Sequence, residues 1–263
     1  MSTTPSVKHG GLPVRRPEPV TAIDVRDQIM TETAILRYVE PGAASELIKQ
    51  MHVSEFTTGQ TIFAQGDPGD RVYVIVAGKV KISLRGPGGR ENLRAIMGPT
   101  DVFGELAVFD PGPRSCTATA ITDVRAVWLD RATLRAWIAH RPVIAEQLLQ
   151  ALTQRLRHTE DELVEQVSTD VAGRVARRLL LLARRFGTRE GDTLRVVHEL
   201  SQDEMAQLVG ADRVSVNKAL RGFTARGWIL VEGKSVMIFD PAALARRATA
   251  STGSGRRPLR ATA

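Results

Sequence analysis

The twenty residues SQDEMAQLVGADRVSVNKAL, positions 201–220, decide the reading of this chain. Ser201-Gln202-Asp203-Glu204 is a capping box, in which the Ser hydroxyl and the Glu carboxylate reciprocally satisfy two backbone amides that an opening helix leaves unpaired. The helix it starts, Gln202 to Val209, turns Met205, Leu208 and Val209 inward. Gly210 supplies a turn with positive φ, and Asp212 caps a second helix from Arg213 to about Thr224. In that second helix Val216, Leu220 and Phe223 share the inner face. Arg213, Ser215, Lys218 and Val214 are left outward. A short helix, a glycine turn and a helix presenting basic and hydroxyl groups at its start form a helix-turn-helix. The competing reading is an ordinary αα-hairpin inside a helical domain.

The surroundings weigh against that competitor. Trp228–Glu232 and Ser235–Phe239, joined through Gly233-Lys234, predict a hairpin wing. Upstream, the pattern predicts a helix around Val171–Arg185, a loop at Gly187–Asp192 and a short strand at Leu194–Val197. The net charge is +7 and the pI about 10.1. From Val167 onward there are 17 Lys+Arg against 9 Asp+Glu, so the basic excess sits in the C-terminal third. Such asymmetry suits a module that faces a polyanion.

Towards the N-terminus the texture changes. Residues 1–28 are rich in Pro, Thr and Arg and predict a disordered arm, followed by a weak helical pattern (Ile35, Leu36, Val39, then Leu47, Ile48, Met51). From Phe56 short β runs alternate with glycine. Val72–Ala77 reads as a buried strand, and Val80, Ile82 and Leu84 alternating with Lys81 and Ser83 read as a half-buried one. Gly88-Gly89 predicts a hairpin tip, and the run Thr117–Leu129 closes an antiparallel barrel or roll. The period then becomes helical. Leu149, Leu152, Leu156, Thr159, Leu163 and Gln166 are spaced alternately three and four apart, a coiled-coil seam with charged flanks. A core-facing amphipathic helix would give a similar stripe, but the flanking charges and the polar Thr favour a parallel homodimer.

The 263 residues and 43% apolar content suit two modest domains with real cores. No run approaches the roughly 18–20 apolar residues of a membrane helix. The start has no apolar segment typical of secretion, so a cytoplasmic protein is expected. Cys116, the one cysteine, cannot form an internal disulfide or hold a zinc ion or iron–sulfur cluster alone. His52, His140 and His158 stand singly, without a haem-binding pattern. No nucleophile–base pair, metal-ligand spacing or phosphate-cradling loop appears, so no enzyme is expected.

With these pieces in order, the chain resembles the cyclic-AMP receptor protein / FNR family of bacterial transcription regulators over roughly residues 30–245. The motifs that carry the likeness are Gly59…Ile62-Phe63…Gly66-Asp67, Gly78-Lys79-Val80, Phe103-Gly104-Glu105-Leu106-Ala107 and Pro113-Arg114-Ser115. FDPGPRS, FGTREG, VGADRVSVNKAL and RGWILVEGKSV look like its actinobacterial branch. The resemblance implies an α+β chain: a disordered arm (1–28), a cyclic-nucleotide-binding β-roll (29–140), a dimerisation helix (141–168), a winged helix-turn-helix (169–245) and a basic disordered tail (246–263). It implies a cyclic nucleotide effector, cyclic AMP first and cyclic GMP or a cyclic dinucleotide as alternatives. DNA binding without a ligand, or a sensor module acting on a partner protein, also stays open. The implied partners are a second copy of the chain, RNA polymerase and double-stranded DNA with a near-palindromic site; a membrane is not among them.

The pocket chemistry fits that likeness. A cyclic phosphate is an anion with fixed oxygens, and Arg114 offers a planar donor fork. Ser115 adds a hydroxyl, and the Gly104-Glu105-Leu106 backbone can approach closely. Glu105 would accept from a ribose 2′-OH. Thr159 falls where the family commonly meets the base, with contacts from both subunits. Glu160 departs from the Ser or Asn usual in cyclic AMP binders. On the DNA side, Arg213 and Lys218 occupy base-reading positions, and Ser201 and Ser215 suit phosphates. Val214 stands where the family often carries Glu, so the half-site should differ at that base pair.

Overall fold

The computed structural model describes residues 49–86, 89, 91–140 and 169–250, with Pro142, Ala145, Glu146, Leu149, Gln150, Leu152, Thr153, Leu156, Arg157, Thr159 and Glu160 between them. The expected arm, the early helical pattern up to Ile48, Leu163, Gln166 and residues 251–263 lie outside the described residues.

Among the described residues eight strands build the roll. They are β1 (His52–Phe56), β2 (Thr61–Phe63), β3 (Arg71–Ala77), β4 (Val80–Arg85), β5 (Glu91–Met97), β6 (Val102–Phe103), β7 (Thr117–Ala120) and β8 (Val124–Asp130). They form two antiparallel sheets, in the orders β1-β8-β3-β6 and β2-β7-β4-β5. The apolar run of β3 is buried on both faces. Val72, Val74 and Val76 pack with Val127, Leu129 and Trp137, while Tyr73 and Ile75 join Phe63, Phe103 and Ala118 between the sheets. The strict alternation expected in β4 breaks. Ser83 stays on the face of Lys81, but its partner Leu93 packs against the C-terminal unit, so that face is covered and Ser83 is buried while Leu84 is left half-buried. The register shift between Ile82 and Ser83 leaves the extra residue, Arg94, in β5.

Among the described residues the roll also carries the single turn α1 (Leu106–Phe109) and α2 (Arg131–His140). From Pro142 to Glu160 the described residues are helical, and Thr153 donates to the Leu149 carbonyl at 2.8 Å.

The C-terminal unit runs α3 (Val171–Phe186), β9 (Gly187–Glu190), β10 (Thr193–Val197), α4 (Gln202–Val209), α5 (Arg213–Ala225), β11 (Ile229–Glu232), β12 (Ser235–Ile238) and α6 (Pro241–Thr249). The sequence predicts a loop at 187–192; the structure corrects most of it to strand β9, paired with β10 in a sheet ordered β11-β12-β10-β9. Gly187–Glu190 is exposed throughout, so no apolar alternation betrays it. The expected tail begins too early as well. Arg246 and Arg247 form the last turn of α6, which Asp240 caps and Pro241 opens.

Leu93 and Ile96 of β5 belong to the same buried cluster as Val175, Leu179, Met205, Leu208 and Val216. The two units therefore share apolar packing as well as a chain connection.

Candidate functional site

Two sets of predicted residues occupy two separate places. The first surrounds Arg114. Its backbone is pinned on both sides, donating to the Asp67 carbonyl at 2.8 Å and accepting from Gly66 at 2.9 Å. Its side chain turns inward and is only 4% exposed. The guanidinium lies over the Phe63 ring at 4.2 Å, and Nη1 donates to the Gly104 carbonyl at 2.9 Å. Nε is buried without a hydrogen-bond partner among the described residues. Burial lowers the Arg114 pKa, opposed in part by Tyr73, Asp70, Cys116 and Glu105, and a guanidinium still stays charged. Burying a cation without a counter-charge is costly, so a group held in this way favours an anionic partner.

Gly104 makes the close approach possible. Its φ is +80°, and an added Cβ would meet Arg114 Nη1 at 2.7 Å and the Arg71 carbonyl at 3.0 Å. Glu105 opens α1 from the N-cap position and is only 7% exposed. Leu106 and Ser115 are exposed beside it. Thr159 and Glu160, the expected base-end residues, stand exposed on the helix that follows α2. On the same helix Leu149 is 63% and Leu156 59% exposed, two turns apart on one face.

The second set lies on α4 and α5. Both halves of the capping box are present: Glu204 N donates to Ser201 Oγ, and Ser201 N donates to Glu204 Oε2 at 2.9 Å. Gly210 takes φ +68° at the turn, and Asp212 accepts from Ser215 N at 2.8 Å. Val214 is 78% exposed, Lys218 is exposed and Ser215 half-buried. Ser215 and Lys218 border a cavity of about 540 Å³ with Arg226, Arg247 and Asp170.

Arg213 is not free in solvent. Its Nε and Nη2 donate to Gln202 Oε1 at 3.2 and 2.9 Å, and its Nη1 faces the Asp203 carboxylate at 3.3 Å. Asn217 Nδ2 donates to the same Gln202 oxygen at 3.2 Å. Sequence reasoning missed Gln202, Asp203 and Asn217, because partners ten to fifteen positions apart on crossing helices leave no local signal.

Among the described residues no group of three or more His, Cys, Asp and Glu could hold a metal ion, and no helix is long and apolar enough to cross a membrane. Residues 53–141 match the family model described as "Cyclic nucleotide-binding domain", and 173–247 match "Crp-like helix-turn-helix domain". The chain is 59% identical over 222 residues to a "CRP-like cAMP-activated global transcriptional regulator" of Mycobacterium tuberculosis, covering 84% of this chain and 99% of that one. It is 31% identical over 189 residues to the "Cyclic AMP receptor protein" of Thermus thermophilus, covering 72% and 84%. Among solved structures, FixK2 from Bradyrhizobium japonicum shares the fold with a TM-score of 0.67 at 23% identity, covering 76% of this chain and 98% of that one. A roll with a buried arginine, a capped helix-turn-helix with its wing, and likeness along nearly the full length of a relative place the chain in one group: it belongs to the cyclic-AMP receptor protein / FNR family of transcription regulators, carrying a cyclic-nucleotide-binding domain and a DNA-binding helix-turn-helix.

Proposed function

We propose that this chain acts in the cytoplasm as a homodimeric regulator whose DNA binding is switched by cyclic AMP. The observation that carries the effector reading is Arg114, a buried guanidinium with an unpartnered Nε beside the positive-φ Gly104. A singly charged cyclic phosphate supplies the oxygens that this fork lacks, with Ser115 and the 104–106 backbone adding donors. Glu105 accepts from the ribose 2′-OH, which favours a nucleotide over inorganic phosphate. The base reaches Thr159 and Glu160, and the Mycobacterium tuberculosis relative's name specifies cyclic AMP.

The exposed Leu149 and Leu156 support pairing of that helix with its copy. A ligand that touches a two-helix seam favours one helix arrangement and so shifts the population of domain poses. In the competent pose two α5 helices enter successive major grooves about 34–36 Å apart, on a near-palindrome. Arg213, Val214 and Lys218 face base edges, and Ser201 and Ser215 face phosphates. RNA polymerase is the partner through which a regulator of this family acts on transcription.

A second reading keeps the fold but changes the effector. Glu160 raises it, because it stands where cyclic AMP binders usually carry Ser or Asn, and a carboxylate can accept from the guanine N1–H and N2 amine as well as from the adenine N6 amine. Calorimetric titration with cyclic AMP and cyclic GMP, repeated on Arg114→Ala, decides between them. Saturable cyclic AMP binding near one site per chain, lost in the variant, is the expected result. Binding of cyclic GMP alone, or of neither nucleotide, overturns the cyclic AMP assignment.

A further inference from the structure

We infer that Gln202 is the positioning residue for base reading by Arg213: it grips one edge of the guanidinium so that another edge is presented to guanine. The inference rests on the reading of α5 as the DNA-contacting helix and adds a specificity role for a residue on α4.

An arginine side chain has five N–H donors arranged along three edges. Nε and the near hydrogen of Nη2 make a side-on fork. Nη1 and the far hydrogen of Nη2 make an end-on fork, and the last Nη1 hydrogen lies back towards the aliphatic stem. Gln202 Oε1 takes the whole side-on fork, at 3.2 Å from Nε and 2.9 Å from Nη2. Asp203 faces Nη1 at 3.3 Å. Of the end-on fork, the far hydrogen of Nη2 carries no hydrogen bond among the described residues, and Nη1 makes only the long, solvent-exposed bonds to Asp203 at 3.3 and 3.5 Å. This is the edge that can turn to guanine O6 and N7 once Asp203 gives way. A side-on grip therefore does not compete with the base; it removes freedom that binding would otherwise have to freeze.

The choice of a neutral amide matters. Gln202 is exposed at the first position of α4, in the region where a DNA backbone would pass. An amide oxygen takes these donors without adding a second anion beside Asp203. Asn217 Nδ2 donates to the same oxygen at 3.2 Å, so the acceptor is itself held from α5 and the amide orientation is fixed. Asp203 supplies the weaker restraint. Its side chain is 65% exposed, and the ion pair is open to solvent screening.

Freezing one long side chain costs an amount that corresponds to roughly 3–10-fold in affinity, and that is the size of effect expected at a single base pair. The test uses the full-length protein with saturating effector. Its probes are a duplex selected from random DNA by the wild type, a panel with each base pair changed in turn, and an unrelated duplex. Arg213→Ala should abolish discrimination at one base-pair position. Gln202→Ala should weaken discrimination at that same position by roughly 3–10-fold, leaving other positions and the unrelated duplex little changed. Gln202→Glu keeps the acceptor oxygen and should keep the discrimination, while lowering affinity for every duplex alike through its added charge. Wild-type discrimination in Gln202→Ala, with Arg213→Ala impaired, would overturn the positioning role alone. So would uniformly tighter binding by Gln202→Ala, which would make the grip a competitor of DNA. If Arg213→Ala itself discriminates like the wild type, the base-reading assignment falls and the inference with it.

Discussion

Lys81 Nζ lies 2.8 Å from Glu204 Oε1, so a central strand of the roll is ion-paired to the helix that opens the DNA-binding motif. The carboxylate does two jobs with two oxygens: Oε1 meets Lys81, and Oε2 completes the capping box with Ser201. Around it, Leu93 N donates to Gln207 Oε1 at 2.9 Å, which satisfies an amide on the outer strand of its sheet. Arg185 donates to the Ile96 carbonyl at 3.0 Å and pairs with Asp101, and Lys79 donates to the Val197 carbonyl. The roll and the DNA-binding unit are thus joined through contacts of β4, β5 and their flanking residues.

The first prediction concerns this pair. Both side chains are about one-quarter exposed, so solvent screening limits its worth, and Lys81→Met should cost about 0.5–1 kcal/mol. Glu204→Ala should cost more, about 1–2 kcal/mol, because half of a capping box goes with it. A double-mutant cycle in urea unfolding isolates the coupling. Burial raises the Glu204 pKa, but hydrogen bonds from Lys81 and Ser201 outweigh it and leave the value lowered. The contribution is therefore full above the ordinary glutamate range and fades as pH falls through the lowered value. Zero coupling energy at pH 7 would refute the pair's role.

A second prediction separates packing from ligand binding at Arg114. Arg114→Met keeps an unbranched stem over Phe63 while removing the charge and an unsatisfied Nε. The melting temperature without ligand should change little, since a buried cation with an unsatisfied donor contributes little net stability. The wild type should gain about 2.7 kcal/mol from cyclic AMP at one hundred times its Kd, and the variant nothing. A ligand-induced shift retained in Arg114→Met would remove the phosphate seat from this residue.

How much of this was readable beforehand follows the range of each signal. Ser201 to Val209 matches the predicted helix residue for residue, because capping and turn chemistry are local. The buried run of β3 and the wing are also as predicted, for the same reason. The β4 alternation of burial fails at Ser83, whose face is covered by packing against residues more than a hundred positions away, a contact that no local pattern announces. Strand β9 is hidden because it has no buried residue. The grip of Gln202 on Arg213 and the bridge from Lys81 to Glu204 join positions 11 and 123 apart, and no periodicity encodes such pairs. The Arg114 cassette was visible as a motif, but its inward turn over Phe63 was not.

The third prediction is a pH effect at His198. The ring is buried, and its Nδ1 accepts from Leu200 N at 3.0 Å. Burial, with Lys79 and Lys234 nearby, lowers its pKa to about 4. Below the ordinary histidine value the unfolded chain takes up a proton that the folded chain refuses, so stability falls as pH drops from about 6.5 towards 4. The loss should approach about 3 kcal/mol at the bottom of that window. Asn in place of His198 offers an oxygen to the Leu200 amide but does not titrate. His198→Asn should therefore flatten the acid limb of stability against pH, and an unchanged limb would place the titrating group elsewhere.

The last prediction concerns Val214, which projects from the first turn of α5 with 78% of its surface exposed. Valine has no donor or acceptor, so in a major groove it can only make apolar contact, as with a thymine methyl. The expected half-site has an A·T pair opposite it rather than the C·G pair that a carboxylate would select through cytosine N4. Val214→Glu should exchange that preference, moving discrimination between the two pairs by about 1–3 kcal/mol. The substitution is compatible with the fold, since an acid in the first turn of a helix is favoured by its dipole. It should also weaken binding to every duplex somewhat, because the new charge faces phosphates. Binding of the variant and the wild type to duplexes differing at that one base pair separates the two effects: the general loss is common to both duplexes, and only a change in their ratio reports base reading. An unaltered ratio would mean that Val214 does not reach the base edges and that α5 sits in the groove in a different rotation.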